Sequence, residues 1–309
     1  MLATIDDETR SNGGGPYNVL RDLAAMGAGY PLMAAGRIGT DADGEWIRRD
    51  CQEHGIDAAG LASDAENPTS YTEVMTVLDT GRRTFFHRRG ANARFDGADL
   101  DFSNCPARML HLAYLLLLDD LDAFAPDGRT RASHLLERAS SAGLVTSIDI
   151  VSTEHPRFRE IVLSALPYTD HLLINEVEAS RVLDRAVDPA DPADLLAAAR
   201  DLLAEGVRAG VVLHTEYGAA SARTGGEFHI QGAVAVPPRF IRGANGAGDA
   251  FAAGYLHGIH ENYPLPAALE LAVCTAAACL AHASPSAGLF PIHACLALGR
   301  GHGFSTFCH

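Results

Sequence analysis

The chain has 309 residues and a net charge of −15, with 39 acidic and 24 basic side chains. This acidic balance disfavours a general nucleic-acid or membrane-surface binder, whose electrostatic footprint would be basic. Every basic residue is arginine, so there is no Walker-A lysine, no protein-kinase strand lysine and no Schiff base. Any bound phosphate must therefore be held by arginine, a metal ion or backbone N–H groups.

The six cysteines are scattered without a Cys-x-x-Cys pair, which is typical of reduced thiols in a cytosol. The N-terminus lacks the basic and apolar pattern of a signal peptide. The two most apolar runs, Met109–Leu118 and Leu271–Ala283, are shorter than the roughly 20 residues that a membrane span needs. We therefore expect a cytoplasmic protein without a membrane or nucleic-acid partner.

Short apolar runs alternate with amphipathic stretches along the chain, the pattern of βαβ units around a parallel sheet. In chain order, the predicted elements are a helix over Asn18–Met26, a strand over Leu32–Ala35, a helix over Asp43–His54, a strand over Met109–Leu118, a helix over Arg131–Ser141, strands over Val145–Ile150 and His171–Ile174, a helix over Leu195–Leu203, a strand over Val211–Leu213, and helices over Asp249–His260 and Ala267–His282. The pattern predicts the α/β fold class.

One segment departs from this alternation. Tyr71–Leu78 and Thr84–Arg88 are rich in β-branched and aromatic residues, and Asp79-Thr80-Gly81 joins them as a hairpin loop. The alternation of their apolar residues predicts that one face of the hairpin is covered. We interpret the hairpin as a small lid over a substrate cleft; the alternative is a decoration at the edge of the sheet.

The segment Gly243–Phe251 carries the most informative chemistry. The small residues Gly246, Ala247 and Gly248 leave the N–H groups of a helix N-terminus facing outward, which makes an anion cradle. Asp249 would repel an anion, but it can take a proton from a hydroxyl that attacks phosphorus. Cradle and base together predict a phosphoryl-transfer site. The alternative is a closely packed helix start with Asp249 as its cap.

A second glycine cluster, Gly13–Asn18, opens the first predicted helix. Glycines there let another group approach the backbone, and Asn18 can exchange hydrogen bonds with a polyol. The alternative is a helix cap after a flexible turn. Because Asn18 stands at the third glycine position, the cluster is not a GxGxxG fingerprint, which disfavours a nicotinamide oxidoreductase.

Together the two segments resemble the signatures of the ribokinase-like (PfkB) carbohydrate kinase family. Gly13–Asn18 with Gly36–Gly44 is similar to the N-terminal signature, and Asn245–Tyr255 is similar to the C-terminal one. Asn175–Glu178 resembles the Asn-x-x-Glu motif of the family, although an ordinary helix start gives the same pattern. Arg89–Asn92 resembles a Gly-Ala-Asn segment that follows the lid.

The resemblance implies a Rossmann-like three-layer α/β/α sandwich with a small β-hairpin lid. It implies one kinase domain over residues 1–309, with lid segments near 1–12 and 67–95. The implied activity is phosphorylation of a hydroxyl of a sugar or sugar derivative, with ATP as donor and Mg²⁺ as cofactor. A nucleoside kinase of the same family and a non-catalytic nucleotide- or sugar-binding relative are the alternatives. Because the lids of family members often pair in dimers, the resemblance also implies a homodimer.

The resemblance also implies a role for individual residues. Asp249 would be the catalytic base, and Gly246, Ala247 and Gly248 would form the anion hole. The residues implied on the acceptor side are Gly14, Asn18, Asn92 and Asp119, the last of which follows a buried strand, where doubly wound sheets bind ligands. Those implied on the nucleotide side are Asn175, Glu178, Gly218 and Asn245, with Glu178 holding Mg²⁺ through water.

Three features depart from the family pattern. Gly243-Ala244-Asn245 stands where many members have Asp-Thr-Thr, which removes an aspartate of the monovalent-cation site. Leu213-His214-Thr215 replaces Thr-Leu-Gly on the nucleotide side, so the base specificity is open. Members carry a strand with an acceptor-binding aspartate before the glycine cluster, whereas twelve residues precede Gly13 here. Either the start of the sequence is misplaced or truncated, or part of the acceptor site is missing.

Overall fold

A computed structural model of the chain describes residues 4–77, 83–282, 284–285 and 289–307. Within these residues the strands are β1 Leu32–Gly39, β2 Ile56–Asp64, β3 Tyr71–Thr76, β4 Arg83–Arg88, β5 Met109–Leu115, β6 Val145–Ile150, β7 His171–Asn175, β8 Gly210–Thr215, β9 Gly218–Arg223 and β10 Phe228–Gly232. The helices are α1 Gly15–Met26, α2 Ala42–Glu53, α3 Asp119–Asp122, α4 Arg131–Ser141, α5 Phe158–Ala165, α6 Glu176–Leu183, α7 Pro192–Ala204, α8 Ala247–His260, α9 Leu265–Cys279 and α10 Ile292–His302.

The central sheet has six strands in the order β10-β9-β8-β7-β6-β5. β5 to β8 are parallel to one another, whereas β9 and β10 add antiparallel strands beyond β8. Parallel neighbours need crossover connections, and α4 to α7 provide them. The order places the carboxyl ends of β5 to β8 at one edge, where doubly wound sheets bind ligands.

Two hydrophobic cores lie on opposite faces of this sheet. Leu172 and Ile174 of β7 belong to a core with residues of α4 to α7, while Leu173 belongs to a core with residues of α1, α8 and α9. The alternation follows from the two-residue period of a strand, which sends neighbouring side chains to opposite faces. The predicted three-layer α/β/α arrangement is therefore confirmed.

Two smaller sheets accompany the main one. β1 and β2 form a parallel pair, and β3 and β4 form the antiparallel hairpin that the sequence predicted. Leu78 and the Asp79–Gly81 loop lie outside the described residues. The prediction that one hairpin face is covered is wrong. Phe85 and Phe86 point to opposite faces, and both are more than half exposed; in the part of the chain that the structure describes, β3 and β4 form a separate two-stranded sheet.

Several predicted boundaries also differ from the structure. α4 and β6 have the predicted bounds, whereas α1 begins at Gly15 and α9 ends at Cys279. β5 ends at Leu115 instead of Leu118, because Leu116 has a φ of 78° and cannot continue a strand. Residues 4–14 form neither helix nor strand. None of the described helices has the length and apolar content that crossing a bilayer requires.

Candidate active site

The start of α8 has a backbone conformation that requires glycine. Gly246 precedes the helix with a φ of 81°, in the left-handed region. A Cβ on this residue would lie 2.6 Å from the carbonyl oxygen of Pro285 and 2.5 Å from its Cβ. Only glycine combines this conformation with so close an approach. In the described residues no side chain caps α8, so no side chain occupies the amides of its first turn, although the N–H of Ala247 donates to the carbonyl of Ala244 over 3.4 Å.

Asp249 is the third residue of α8, and its side chain is hydrogen-bonded to residues of two other elements. Asn18 of α1 donates from Nδ2 to Oδ2 of Asp249 over 2.7 Å, and the hydroxyl of Tyr114 donates to Oδ1. Among the described residues, the hydrogen bonds to this carboxylate come from α1 and β5 and none comes from an α8 amide, so the alternative of an N-terminal cap is wrong. Three elements distant in sequence (α1, β5 and α8) thus meet at one carboxylate.

The surroundings of Asp249 set its ionisation. The residue is 6% exposed, and this burial raises the pKa of its carboxyl to about 6, although the hydrogen bonds from Tyr114 and Asn18 lower it. With this pKa the carboxyl is ionised at neutral pH, and it can still take up a proton because its pKa lies close to that pH. These are the properties that a general base needs.

Asn175 and Glu178 form a capping box at the start of α6. The N–H of Glu178 donates to Oδ1 of Asn175 over 2.9 Å, and the N–H of Asn175 donates to Oε2 of Glu178 over 3.1 Å. The contacts of Asn175 and Glu178 with each other are therefore those of an ordinary helix start. The Ser152 hydroxyl also donates to Oε1 of Glu178 over 2.7 Å, and Glu178 is buried, with 3% of its surface exposed.

A second buried carboxyl, Asp149, was missed by the sequence analysis. It stands near the end of β6, and its position at the carboxyl end of a parallel strand is the signal that could have found it. Burial and the neighbouring carboxyls of Glu178 and Asp249 raise its pKa well above the usual range. Burial likewise raises the pKa of Glu178 to about 7. These carboxyls resist ionisation because they are buried close together, and a cation beside them would favour their charged forms.

The donor set of this cluster fits Mg²⁺ held through water. Mg²⁺ keeps several of its waters and binds one or two carboxylates together with substrate phosphates. Asp149, near the end of β6, and Glu178, in the first turn of α6 directly after the neighbouring strand β7, supply two carboxyl groups for such a site. In the part of the chain that the structure describes, no group of three or more metal-binding side chains is brought together. The residues therefore fit an ion shared with phosphate and not a closed protein cage.

The predicted acceptor residues lie in two places. Asn18 contacts Asp249, and Gly14 precedes α1 with a φ of 95° and open space around it. Asn92 and Asp119 lie instead at the base of the hairpin, where Asn92 donates to the Ser70 hydroxyl over 2.7 Å and Asp119 pairs with Arg89. Among the described residues no hydrogen bond joins Asn92 or Asp119 to Asp249.

The predicted nucleotide-side glycine has a packing role. Gly218 lies at the turn between β8 and β9 with a φ of 147°, and a Cβ there would lie 2.3 Å from the carbonyl oxygen of Gln231. The carbonyl of Asn245 accepts from the thiol of Cys279 over 3.4 Å. His214, at the end of β8, lies beside the start of α8: a Cβ on Gly248 would be 3.5 Å from its Cε1.

The fold is a three-layer sandwich with its candidate site at the carboxyl ends of parallel strands, as in many nucleotide-dependent enzymes. The chain belongs to the pfkB family of carbohydrate kinases, whose family model matches residues 2–291. The predicted family is therefore confirmed.

Solved structures show the same fold. Ribokinase of Arabidopsis thaliana, complexed with ribose and ATP, is 21% identical with a TM-score of 0.75, over 95% of this chain and 88% of that one. The nucleoside kinase of Burkholderia thailandensis, in complex with inosine, is 16% identical with a TM-score of 0.73, over 99% and 91%. Fructokinase of Xylella fastidiosa, with bound ATP, is 17% identical with a TM-score of 0.73, over 94% and 90%. The ribokinase-like fold class is confirmed.

Proposed function

We propose that this protein is a cytoplasmic, ATP-dependent kinase that transfers the γ-phosphoryl group to a hydroxyl of a sugar or sugar derivative. The observation that carries the proposal is the buried carboxylate of Asp249 directly beside the uncapped start of α8. The first group can accept a proton and the second can stabilise an anion. Phosphoryl transfer needs both functions at one place.

Asp249 would act as the general base. As the acceptor hydroxyl oxygen forms its bond to the γ-phosphorus, its proton passes to a carboxylate oxygen of Asp249. The bond between the γ-phosphorus and the bridging oxygen breaks, and ADP leaves with the electron pair. The amide of Asn18 holds Oδ2 at 2.7 Å and so fixes the direction in which the carboxylate faces the acceptor.

The start of α8 would stabilise the phosphoryl group during transfer. Gly246, Ala247 and Gly248 contribute no side chain that blocks the approach, and the helix dipole favours negative charge at this end. The 14-residue length of α8 is enough for a full dipole effect. Because the chain has no lysine, these amides replace the ammonium group that many phosphate sites use.

ATP would lie across the ends of β6 to β8, next to α6. Asn175, Glu178 and Asp149 would hold Mg²⁺, Glu178 through water, and Gly218 and Asn245 would border the nucleotide. When bound, Mg²⁺ neutralises phosphate charge and helps to orient the triphosphate. The raised pKa of Glu178, about 7, and that of Asp149 support this placement, since both carboxyls gain from a nearby cation.

A screen of acceptors tests the proposal. We expect ATP consumption, followed by a coupled ADP assay, with a member of a panel of pentoses, hexoses, sugar acids and inositols. The Asp249→Asn variant serves as the blank for contaminating kinases. Turnover with nucleosides alone would establish the alternative of a nucleoside kinase, which the Burkholderia neighbour makes worth testing. Binding of ATP or sugar by calorimetry without turnover would establish the non-catalytic alternative.

We also propose that the hairpin pairs with that of a second copy to form a homodimer. The apolar side chains of Tyr71, Val74, Met75, Phe85 and Phe86 are each at least 38% exposed, and they occupy both faces of β3 and β4. Such a surface favours burial against a partner, and an open strand edge offers backbone hydrogen bonds. The hairpin of a second copy supplies both an apolar surface to pack against and a strand edge to pair with.

The dimer is tested by measuring molar mass with light scattering. The wild-type chain is expected at twice its 32.7 kDa mass, and Phe86→Glu at the monomer mass, because a charge would be buried in the interface. Phe228→Glu is the matched control: Phe228 is 52% exposed on β10, in a different sheet from the hairpin, and its replacement should leave the dimer intact. A wild-type monomer, or a dimer in Phe86→Glu, contradicts the proposal.

A further inference from the structure

Tyr114 contacts the candidate base, although no sequence motif pointed to it. It stands one residue before the end of β5, and its hydroxyl donates to Oδ1 of Asp249, the carboxylate oxygen that Asn18 leaves free. Both oxygens of Asp249 thus receive a hydrogen bond, one from α1 and one from β5. A carboxylate oxygen accepts more than one hydrogen bond, so the acceptor hydroxyl can still approach.

Space for this phenol is provided by Gly15, the last glycine of the N-terminal cluster. A Cβ on Gly15 would lie 2.5 Å from Cζ of Tyr114 and 2.8 Å from its hydroxyl oxygen. Gly15 is the first residue of α1 and does not belong to the residues with positive φ, so its backbone alone would allow a side chain. The missing Cβ at this position is therefore explained by the ring of Tyr114.

We infer that Tyr114 is a positioning residue that holds Asp249 in the ionised form and in a fixed orientation for proton transfer. This inference rests on the proposed role of Asp249 as the base. The phenol itself keeps its proton. Burial and the neighbouring carboxyls of Asp249 and Asp149 raise the pKa of Tyr114 well above its usual value, so its hydroxyl remains a donor throughout the range in which the enzyme would work.

The other titratable groups around Asp249 come from five elements. Burial raises the pKa of Asp22 on α1 to about 9, that of Cys279 on α9 to about 12, and that of Asp149 on β6 strongly, so all three stay neutral at mildly acidic pH. Burial lowers the pKa of His214 on β8 to about 4, so this ring is neutral above that pH. Glu178, with a pKa raised to about 7, titrates in the same range as Asp249.

The test is the pH profile of kcat/KM, in particular its acid limb, which is the pH range in which kcat/KM falls as the pH is lowered. In the wild-type enzyme kcat/KM is expected to fall below pH about 6, because protonated Asp249 cannot accept a proton. In Tyr114→Phe the carboxylate loses a donor and holds its proton to higher pH, so the limb should move upward by about one pH unit. At pH 5.5 this is roughly a tenfold loss relative to the wild type. At pH 8.5 most activity should remain.

A matched control and a second variant separate positioning from packing. Tyr255→Phe removes a different buried phenol, which lies on α8, and the acid limb of this variant should stay at the wild-type position. Gly15→Ala keeps the Tyr114 hydroxyl but displaces the ring, so it should move the limb in the same direction. The double variant Gly15→Ala/Tyr114→Phe should move it no further than the larger single effect, because both changes remove one hydrogen bond.

The outcomes distinguish this inference from the proposed function. An unmoved limb in Tyr114→Phe, with Asp249→Asn inactive, overturns the role of Tyr114 and leaves Asp249 as the base. Turnover retained in Asp249→Asn overturns the proposed function itself. Infrared titration measures the pKa of the Asp249 carboxyl without substrate. Subtracting the titration of Asp249→Asn isolates the signal of Asp249 from that of Glu178. Thermal melting identifies folded variants, and Gly15→Ala provides the test if Tyr114→Phe does not fold.

Discussion

Asp249→Asn is expected to lower kcat by a factor of about 10³, which lies within the range that general-base catalysis contributes. The amide has the size of the carboxyl group and its oxygen can still accept from Asn18, so the geometry of α1 and α8 should persist. It cannot take up the proton of the acceptor hydroxyl. The dissociation constant of ATP, measured by calorimetry, should change less than about threefold, because binding does not need the base.

The control for this variant is Asp22→Asn. Asp22 is fully buried on α1 and interacts electrostatically with Asp249, but its pKa is raised to about 9, so it is already uncharged at neutral pH. Replacing it with another neutral group should leave kcat within a few-fold of the wild-type value. If both variants lose kcat equally, the loss comes from disturbing the buried carboxyls, and Asp249 is not the base.

The fold was predictable from the sequence wherever burial determines the spacing of apolar residues along the chain. β7 and β8 are short apolar runs because both of their faces are covered, and α4 shows the spacing of a helix with one buried side. β9 was missed because Gly218–Arg223 contains mostly small residues with little preference for strands. It is a strand because β8 and β10 pair with it on both sides. Such pairing comes from tertiary context, which a local pattern does not contain.

The candidate site was predictable only in part. Glycines and an aspartate at a helix start carry a local signal, and so Gly246 and Asp249 could be found. Asp149 and Tyr114 lie in apolar strands, and what makes them important is that β5 and β6 end beside α8. The covered hairpin face was predicted wrongly because apolar alternation shows that a surface favours burial, but not whether this same chain buries it.

Gly246→Ala is expected to lower kcat by about a hundredfold and also to destabilise the fold. The new Cβ would lie 2.6 Å from the Pro285 carbonyl oxygen, so the loop must shift and take the first amides of α8 with it. Loss of a single preorganised donor typically costs about 10²–10³ in kcat. The left-handed φ of 81° adds about 1–2 kcal/mol against any residue with a Cβ, which lowers the free energy of unfolding.

Gly128→Ala separates the two effects. Gly128 has a φ of 83°, nearly that of Gly246, but a Cβ there meets no atom within 4 Å. It should therefore lose a similar 1–2 kcal/mol in denaturant unfolding from the backbone alone, with kcat unchanged. If Gly128→Ala loses as much activity as Gly246→Ala, general destabilisation explains both. A wild-type kcat in Gly246→Ala would mean that the phosphoryl group does not rest on the α8 amides, because their displacement would then have no effect on transfer.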